Sequence, residues 1–256
     1  MSLAPLVWYG LSVAVVFPRS SPPAVVDSGS YRVYRYDSAV GTESFSLESM
    51  SDSLVIKSHV LQILPGEGRP DTLDKSMLLV VRSDDYDIRS YESHQTLRGQ
   101  RLQRGLVMSD TSFTSYFQVN DRGQGDQLVR PPGRMFVIDP QLFILYDVIC
   151  RNLHGKSFDQ RPITLFELGV PDTVIEATAT DLGADTLRWG ARRVVARKLK
   201  ISDPDVEFFV WISPQGTMLR LAQPEYGLRV ERAPPPVRNR ERRPQSRGTG
   251  NQRPGR

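Results

Sequence analysis

From residue 31 onward, short runs rich in Val, Ile, Leu, Tyr and Phe alternate with clusters of Gly, Pro, Asp and Asn. Runs of this length bounded by turn residues are the pattern of an all-β chain. They predict strands near 31–38, 41–49, 54–64, 75–83, 86–95, 100–109 and 111–119, then again at 162–170, 173–181, 186–201, 205–213, 217–222 and 226–232. In "TSFTSYFQV", residues 111–119, Phe113, Phe117 and Val119 share one face while Ser112, Thr114, Tyr116 and Gln118 share the other. One side therefore looks to a core. Short turns between neighbours make hairpin-linked antiparallel strands the economical arrangement.

One stretch breaks the rhythm. In "DPQLFILYDVICRNLHG", residues 139–155, Leu142, Phe143, Ile144, Leu145, Tyr146, Val148, Ile149 and Leu153 cover more than one stripe of a helix. A helix that is apolar on several sides must be surrounded by protein. Asp139 suits the N-cap, Pro140 the first helical position and Gly155 the position after the end, which predicts a helix over 140–154. Asp147 and Arg151, acid before base at four residues, predict an ion pair along it. The sequence offers no Gly/Ser-rich linker between the two sets of strands. The fold expected is mainly β: a curved antiparallel sheet forming a half-open barrel around one central helix, as a single domain over 31–232.

Charge changes the picture at the ends only. The chain has 33 basic and 29 acidic residues, yet the last stretch, 233–256, holds seven Arg against one Glu. The rest carries 26 basic and 28 acidic residues, so the body has no excess of positive charge for a phosphate backbone. The Pro/Arg-rich tail has almost nothing apolar to bury and is expected to be disordered, with an anionic surface as its possible partner. Residues 3–17, "LAPLVWYGLSVAVVF", are uncharged and mostly apolar, which suits the core of a signal peptide better than a membrane span. Residues 1–24 are thus read as a signal-like segment, "PRSSPPAVVDSG" as the flexible connection after it, and the protein as exported to the periplasm or cell envelope.

The search for chemistry is brief. A single cysteine, Cys150, excludes an internal disulfide. His59, His94 and His154 have no ligand-like spacing, and no metal or cofactor is expected. His59 shares its strand face with Leu61 and Ile63, which predicts a partly buried histidine with a hydrogen-bond partner. Cys150 and His154 lie four apart on the helix, but a free cysteine between apolar neighbours acts as a small apolar residue. "SPQG", residues 213–216, fits a turn with Pro second and Gly fourth. There is no phosphate loop and no nucleophile elbow.

The segments "YRVYRYDSAVGTESFSLE", "DPQLFILYDVI", "RRVVARKLKI" and "VWISPQGTMLRLAQPEYGLRVER" together resemble an uncharacterised bacterial envelope family with a LolA/LolB-like, lipoprotein-carrier type of fold. That resemblance implies a curved sheet wrapped on helices with an apolar cavity, although carriers have more than one lid helix and here one is found. It makes a lipid or acylated ligand the expected partner of a non-catalytic binding protein. Phe143, Tyr146 and Trp211 are the expected cavity lining, because rigid rings give large apolar contact at little entropic cost. A slip of one residue would exchange Trp211 with Val210 or Ile212. The alternative is a filled barrel acting as a structural or interaction module of the envelope.

Overall fold

The computed structural model describes residues 23–235 apart from 66–69, 121, 170 and 206. The apolar run at 3–17 and nearly all of the Arg-rich tail lie outside the described residues. The chain forms strands β1 (Ala24–Arg35), β2 (Ser38–Met50), β3 (Ser53–Leu64), β4 (Asp71–Arg82), β5 (Ile88–Leu97), β6 (Gln100–Met108), β7 (Ser112–Val119), β8 (Arg122–Val129) and β9 (Met135–Ile138). A helix, α1 (Ile144–Leu153), follows, and then β10 (Gln160–Glu167), β11 (Thr173–Trp189), β12 (Arg192–Ser202), β13 (Glu207–Ile212), β14 (Met218–Gln223) and β15 (Leu228–Arg232).

All fifteen strands belong to one curved, open sheet that does not close into a barrel. Its order is β8 to β1, then β15 back to β9. Two meanders are thus stitched at their ends, with Tyr31 opposite Arg232 and Val33 opposite Val230. Every pairing is antiparallel except β9 with β10, which is parallel because α1 carries the chain from the end of β9 back to the start of β10 as a crossover. The concave face holds one continuous core drawn from both meanders and from α1. Among the described residues no helix is long and apolar enough to cross a membrane.

The two arms of the sheet approach one another without strand pairing. Phe113 on β7 packs edge-on to Phe166 on β10, with ring centroids 5.0 Å apart. Beside it, Asp172 in the β10–β11 turn accepts hydrogen bonds from Arg104 on β6 at 2.7 Å and Ser115 on β7 at 2.6 Å, and Arg104 also donates to the Gly169 carbonyl. Arg104 is nearly buried, so this clasp is a charge-assisted contact shielded from water. β8 lies beyond it and is exposed along its whole length.

Helix α1 starts later than its sequence signals suggest. The Asp139 carboxylate is taken by Lys75 of β4 at 2.5 Å and by the Gln141 amide at 3.0 Å, and the Asp139 carbonyl accepts from Leu142. Residues 139–143 form a turn, and the helix begins at Ile144. Its first amide groups then need another acceptor. Glu43, on the concave face of β2 and fully buried, supplies it: its carboxylate accepts from Phe143 N at 2.8 Å, from Ile144 N at 3.2 Å and from Ser58 Oγ at 2.5 Å. A residue a hundred positions away does what Asp139 was expected to do.

The far side of α1 is held as predicted and more firmly. Asp147 pairs with Arg151 Nε at 2.6 Å and also accepts the Met218 amide of β14 at 2.5 Å. Arg151 reaches on to Asp27 of β1, which Arg232 of β15 holds at 2.6 Å. Burial pushes the Asp27 carboxyl up, but hydrogen bonds and charge from Arg232 and Arg151 outweigh it and hold its pKa below the ordinary value. The chain from Ala24 is therefore ordered strand, paired with β2 from Ser49 onward, rather than the flexible connection expected before residue 31.

Other differences have local causes. β8 and β9 were missed, the first because Gly123 and Gly125 read as turn residues, the second because four apolar residues are too few to show a period. "DLGAD" at 181–185 looked like a turn, but it is a bulge in β11, with Gly183 at φ 81°; the reversal comes at Gly190, φ 60°. The phase of β3 is opposite to that expected: Leu54, Ile56 and Val60 are buried, while His59, Leu61 and Ile63 face water. His59 instead pairs with exposed Asp74 of β4 at 2.9 Å. The turn at 213–216 is as expected, closed by Gly216 N to the Ser213 carbonyl at 2.9 Å.

Candidate functional site

The concave face is not completely filled. Where α1 meets β9, β10, β13 and β14, a cleft of about 270 Å³ opens beneath Tyr146. Its walls are Ile138, Leu165, Ile175, Phe208, Leu221 and Leu228, alternate residues of strands whose partners face the other way. Tyr146 comes from α1 and meets Phe208 edge-to-face at 5.1 Å and 88°, so the two rings form one corner of the cleft. Polar groups gather at the remaining side: Glu167 at the end of β10, Asp203 after β12, Arg35 at the end of β1, Gln223 at the end of β14 and Tyr226 after it.

The electrostatics of this rim are acidic. Burial raises the pKa of Glu167 above the ordinary glutamate value, and the neighbouring carboxylates Asp203 and Asp139 raise it further. Burial likewise pushes the Tyr146 hydroxyl up, with Asp139 and Glu167 adding to it. Arg35, the one cation lining the cleft among the described residues, is exposed and donates to the Tyr226 carbonyl at 3.2 Å. An apolar pocket of this kind with a few convergent polar groups is the usual form of a small-molecule site.

Larger hollows exist, of about 350 Å³ beside the Arg104–Asp172 clasp, about 470 Å³ beside His154 and Val195, and about 640 Å³ between the ends of β5, β6 and β7. The last is lined mostly by polar groups such as His94, Gln95, Arg101 and Gln103, and the first mixes Arg104, Asp126 and Asp172 with Tyr116, Phe117 and Leu128. The hollow beside His154 is shallow and open to solvent, and the other two take no residue from the continuous core, so the smaller cleft, walled by core residues, is the stronger candidate.

Of the three residues expected to line a cavity, the structure places one there. Tyr146 lines the cleft. Phe143 is packed in the core at 1% exposure, one turn away, with its amide held by Glu43. Trp211 is on the opposite face of the sheet, in a second small apolar cluster with Leu187, Ala196 and Leu219. Its indole nitrogen donates to Asp185 at 2.7 Å, and Lys198 and Arg220 lie over its ring at 4.9 and 5.7 Å. The parity of β13 is the cause: Phe208, Val210 and Ile212 face the core, so Phe209 and Trp211 face out. The bulge in β11 turns Leu187 and Trp189 to that outer face as well, which gives Trp211 its apolar neighbours. Glu167 was missed as a site residue; the two cations flanking Trp211 in the register, Lys198 and Arg220, were the signal that its face is wet.

The remaining reactive side chains are engaged elsewhere. Lys75, Asp139 and Tyr91 form a closed network at the helix start, each at most 3% exposed. His94 pairs with Glu92 at 3.1 Å on the surface. Burial, with Asp147 adding, pushes the Cys150 thiol well above its ordinary pKa, against the opposing charge of Arg151, so the thiolate is disfavoured. Among the described residues no group of three or more His, Cys, Asp or Glu is arranged to hold a metal ion.

No family model matches the chain, and no curated protein does. A crystal structure of a DUF1089-family protein (PA1994) from Pseudomonas aeruginosa is similar at 12% sequence identity and a TM-score of 0.44, over 72% of this chain and 90% of that one. The likeness is distant, to a family whose name carries no function, and it does not place the chain among lipoprotein carriers.

Proposed function

We propose that this protein is a non-catalytic binding protein that holds a small amphipathic ligand, or the apolar end of a larger one such as a lipid, in the cleft beneath Tyr146. The observation that carries the reading is the unfilled apolar space itself. Core packing in proteins leaves few voids larger than a water molecule, and an enclosed apolar cavity of about 150 Å³ is enough to take up benzene. A cleft of about 270 Å³, floored by Leu165, Phe208, Leu221 and Leu228 and open at the Glu167–Asp203 rim, is large enough for such an apolar group and small for a whole lipid. The occupant is therefore a short apolar group with a polar end at the rim. An exported, envelope location goes with this reading on the strength of the apolar run at residues 3–17.

The test is saturable binding of 1-octanol, followed by NMR of labelled Leu and Ile methyl groups. Leu165, Leu221, Leu228 and Ile175 should shift together, while Leu187 and Leu219 on the outer face stay still. Replacing partly buried Ile175 by Trp should fill the space and abolish the shifts without lowering the melting temperature. Shifts that do not saturate, or that persist unchanged in Ile175→Trp, would return the concave face to the alternative of a filled sheet that serves as an interaction module.

A further inference from the structure

We propose that the cleft selects a ligand whose polar end is a cation, an alkyl- or arylammonium group, over one that ends in a carboxylate. The inference rests on the ligand-binding reading above and adds the chemistry of the head group. Glu167 lines the cleft, half-buried, and its carboxylate makes no hydrogen bond or ion pair with any described residue. Asp203 lines the same side. The positive group at the rim, Arg35, is exposed and turned to the Tyr226 carbonyl. Beyond burial, the carboxylates Asp203 and Asp139, the latter itself paired with Lys75, add to the rise in the Glu167 pKa. A carboxylate raised in this way, with no cation opposing the shift, is stabilised by a positive charge brought beside it. A ligand carboxylate would meet Glu167 and Asp203 as like charges in a partly water-excluded space, where the repulsion is least screened.

A second, independent feature points the same way. The rings of Tyr146 and Phe208 stand edge-to-face at 5.1 Å, and Tyr226 stands at the rim. Aromatic faces attract cations, and quaternary ammonium groups are bound by such rings together with acidic side chains. Tyr146 is partly exposed, and its hydroxyl makes no hydrogen bond to any described residue and is open to the cleft, where water or a ligand reaches it. Phe208 and the strands beneath supply the apolar floor that a short hydrocarbon tail needs.

The experiment titrates the full chain with octyltrimethylammonium, 1-octanol and octanoate, which share one tail and differ in charge. Calorimetry at neutral pH should give the ammonium compound an affinity at least about tenfold above that of octanoate, with octanol between them. Glu167→Gln should bring the ammonium-to-octanoate ratio toward one. Asp74→Asn, which removes an exposed carboxylate on the outer face, should leave that ratio as it is and so controls for general surface charge. Saturable binding of all three without preference, tighter binding of octanoate, or a ratio untouched by Glu167→Gln would overturn the cation assignment while leaving the cleft a ligand site. Absence of saturable binding by all three would overturn both.

Discussion

The buried carboxylate at the start of α1 predicts how stability depends on pH. Burial raises the pKa of Glu43 from 4.5 to about 7, with Asp139 adding, even though Ser58 and the Ile144 and Phe143 amides stabilise its charged form. Between those two values the folded protein holds a proton that the unfolded chain has released. Stability from this group is therefore fully present below the unfolded pKa and is lost as pH rises through the folded one. A rise from 4.5 to about 7 corresponds to roughly 3 kcal/mol lost across the window. Glu43→Gln keeps an oxygen for the helix amides and a donor for Ser58, but it cannot titrate. Urea unfolding of both proteins from about pH 4 to about pH 8 should show the variant gaining on the wild type by about 3 kcal/mol over that range. Glu167 and Asp27 titrate in both proteins, and their contributions cancel in the difference. Parallel curves would show that Glu43 is not desolvated in the way the structure indicates. Glu43→Ala supplies the complementary measurement: it leaves two buried amides without an acceptor, at about 1–3 kcal/mol each, at every pH.

Three further outcomes are expected. Lys75→Met leaves Asp139 buried without its cation and should cost about 3–5 kcal/mol by denaturant unfolding, most of it recovered in Lys75→Met/Asp139→Asn; a double variant no better than the single would refute the pairing. Asp172→Asn weakens the clasp between the arms and should speed hydrogen exchange of the β6 and β7 amides while leaving β2 and β3 protected; uniform protection would show that the arms stay together without it. Trp211→Ala empties the outer cluster and should cost about 3 kcal/mol yet leave octanol binding intact, since Trp211 faces away from the cleft; lost binding with a preserved fold would place the site on the wrong face of the sheet.

How far the cleft could be read from the chain depends on the residue. Tyr146 was legible because an apolar ring on a helix with apolar residues on several sides has nowhere to go but inward. Glu167 carried no local signal: it is one of many acidic residues at strand ends, and its meaning comes from Asp203, Asp139 and Tyr146, which the fold brings to it from distant parts of the chain. Trp211 was misread because aromatic residues occupy both 208 and 209 and the alternation of β13 can be started from either. Parity in a strand is a binary choice, and an error of one residue moves every side chain to the other face. The same error reversed β3, where Leu61 and Ile63 outside mimic the buried row of Leu54, Ile56 and Val60.

The sequence by itself determined what depends on neighbours along the chain: strands from runs of β-branched and aromatic residues, a helix from its dense apolar positions, the Asp147–Arg151 pair from a spacing of four, and the Ser213–Gly216 turn from proline and glycine. Each is settled by short-range sterics and hydrogen bonding, which the local sequence contains. Only the tertiary structure decided where α1 begins, because Lys75 and Glu43, from β4 and β2, compete for its first turn and override Asp139 as a cap. Only it joined Asp27 to Arg151 and Arg232, and only it left a cleft between α1 and the second meander. Those outcomes rest on long-range register and on the residual volume after side chains from both meanders have packed, and no stretch of sequence carries that volume in its own composition.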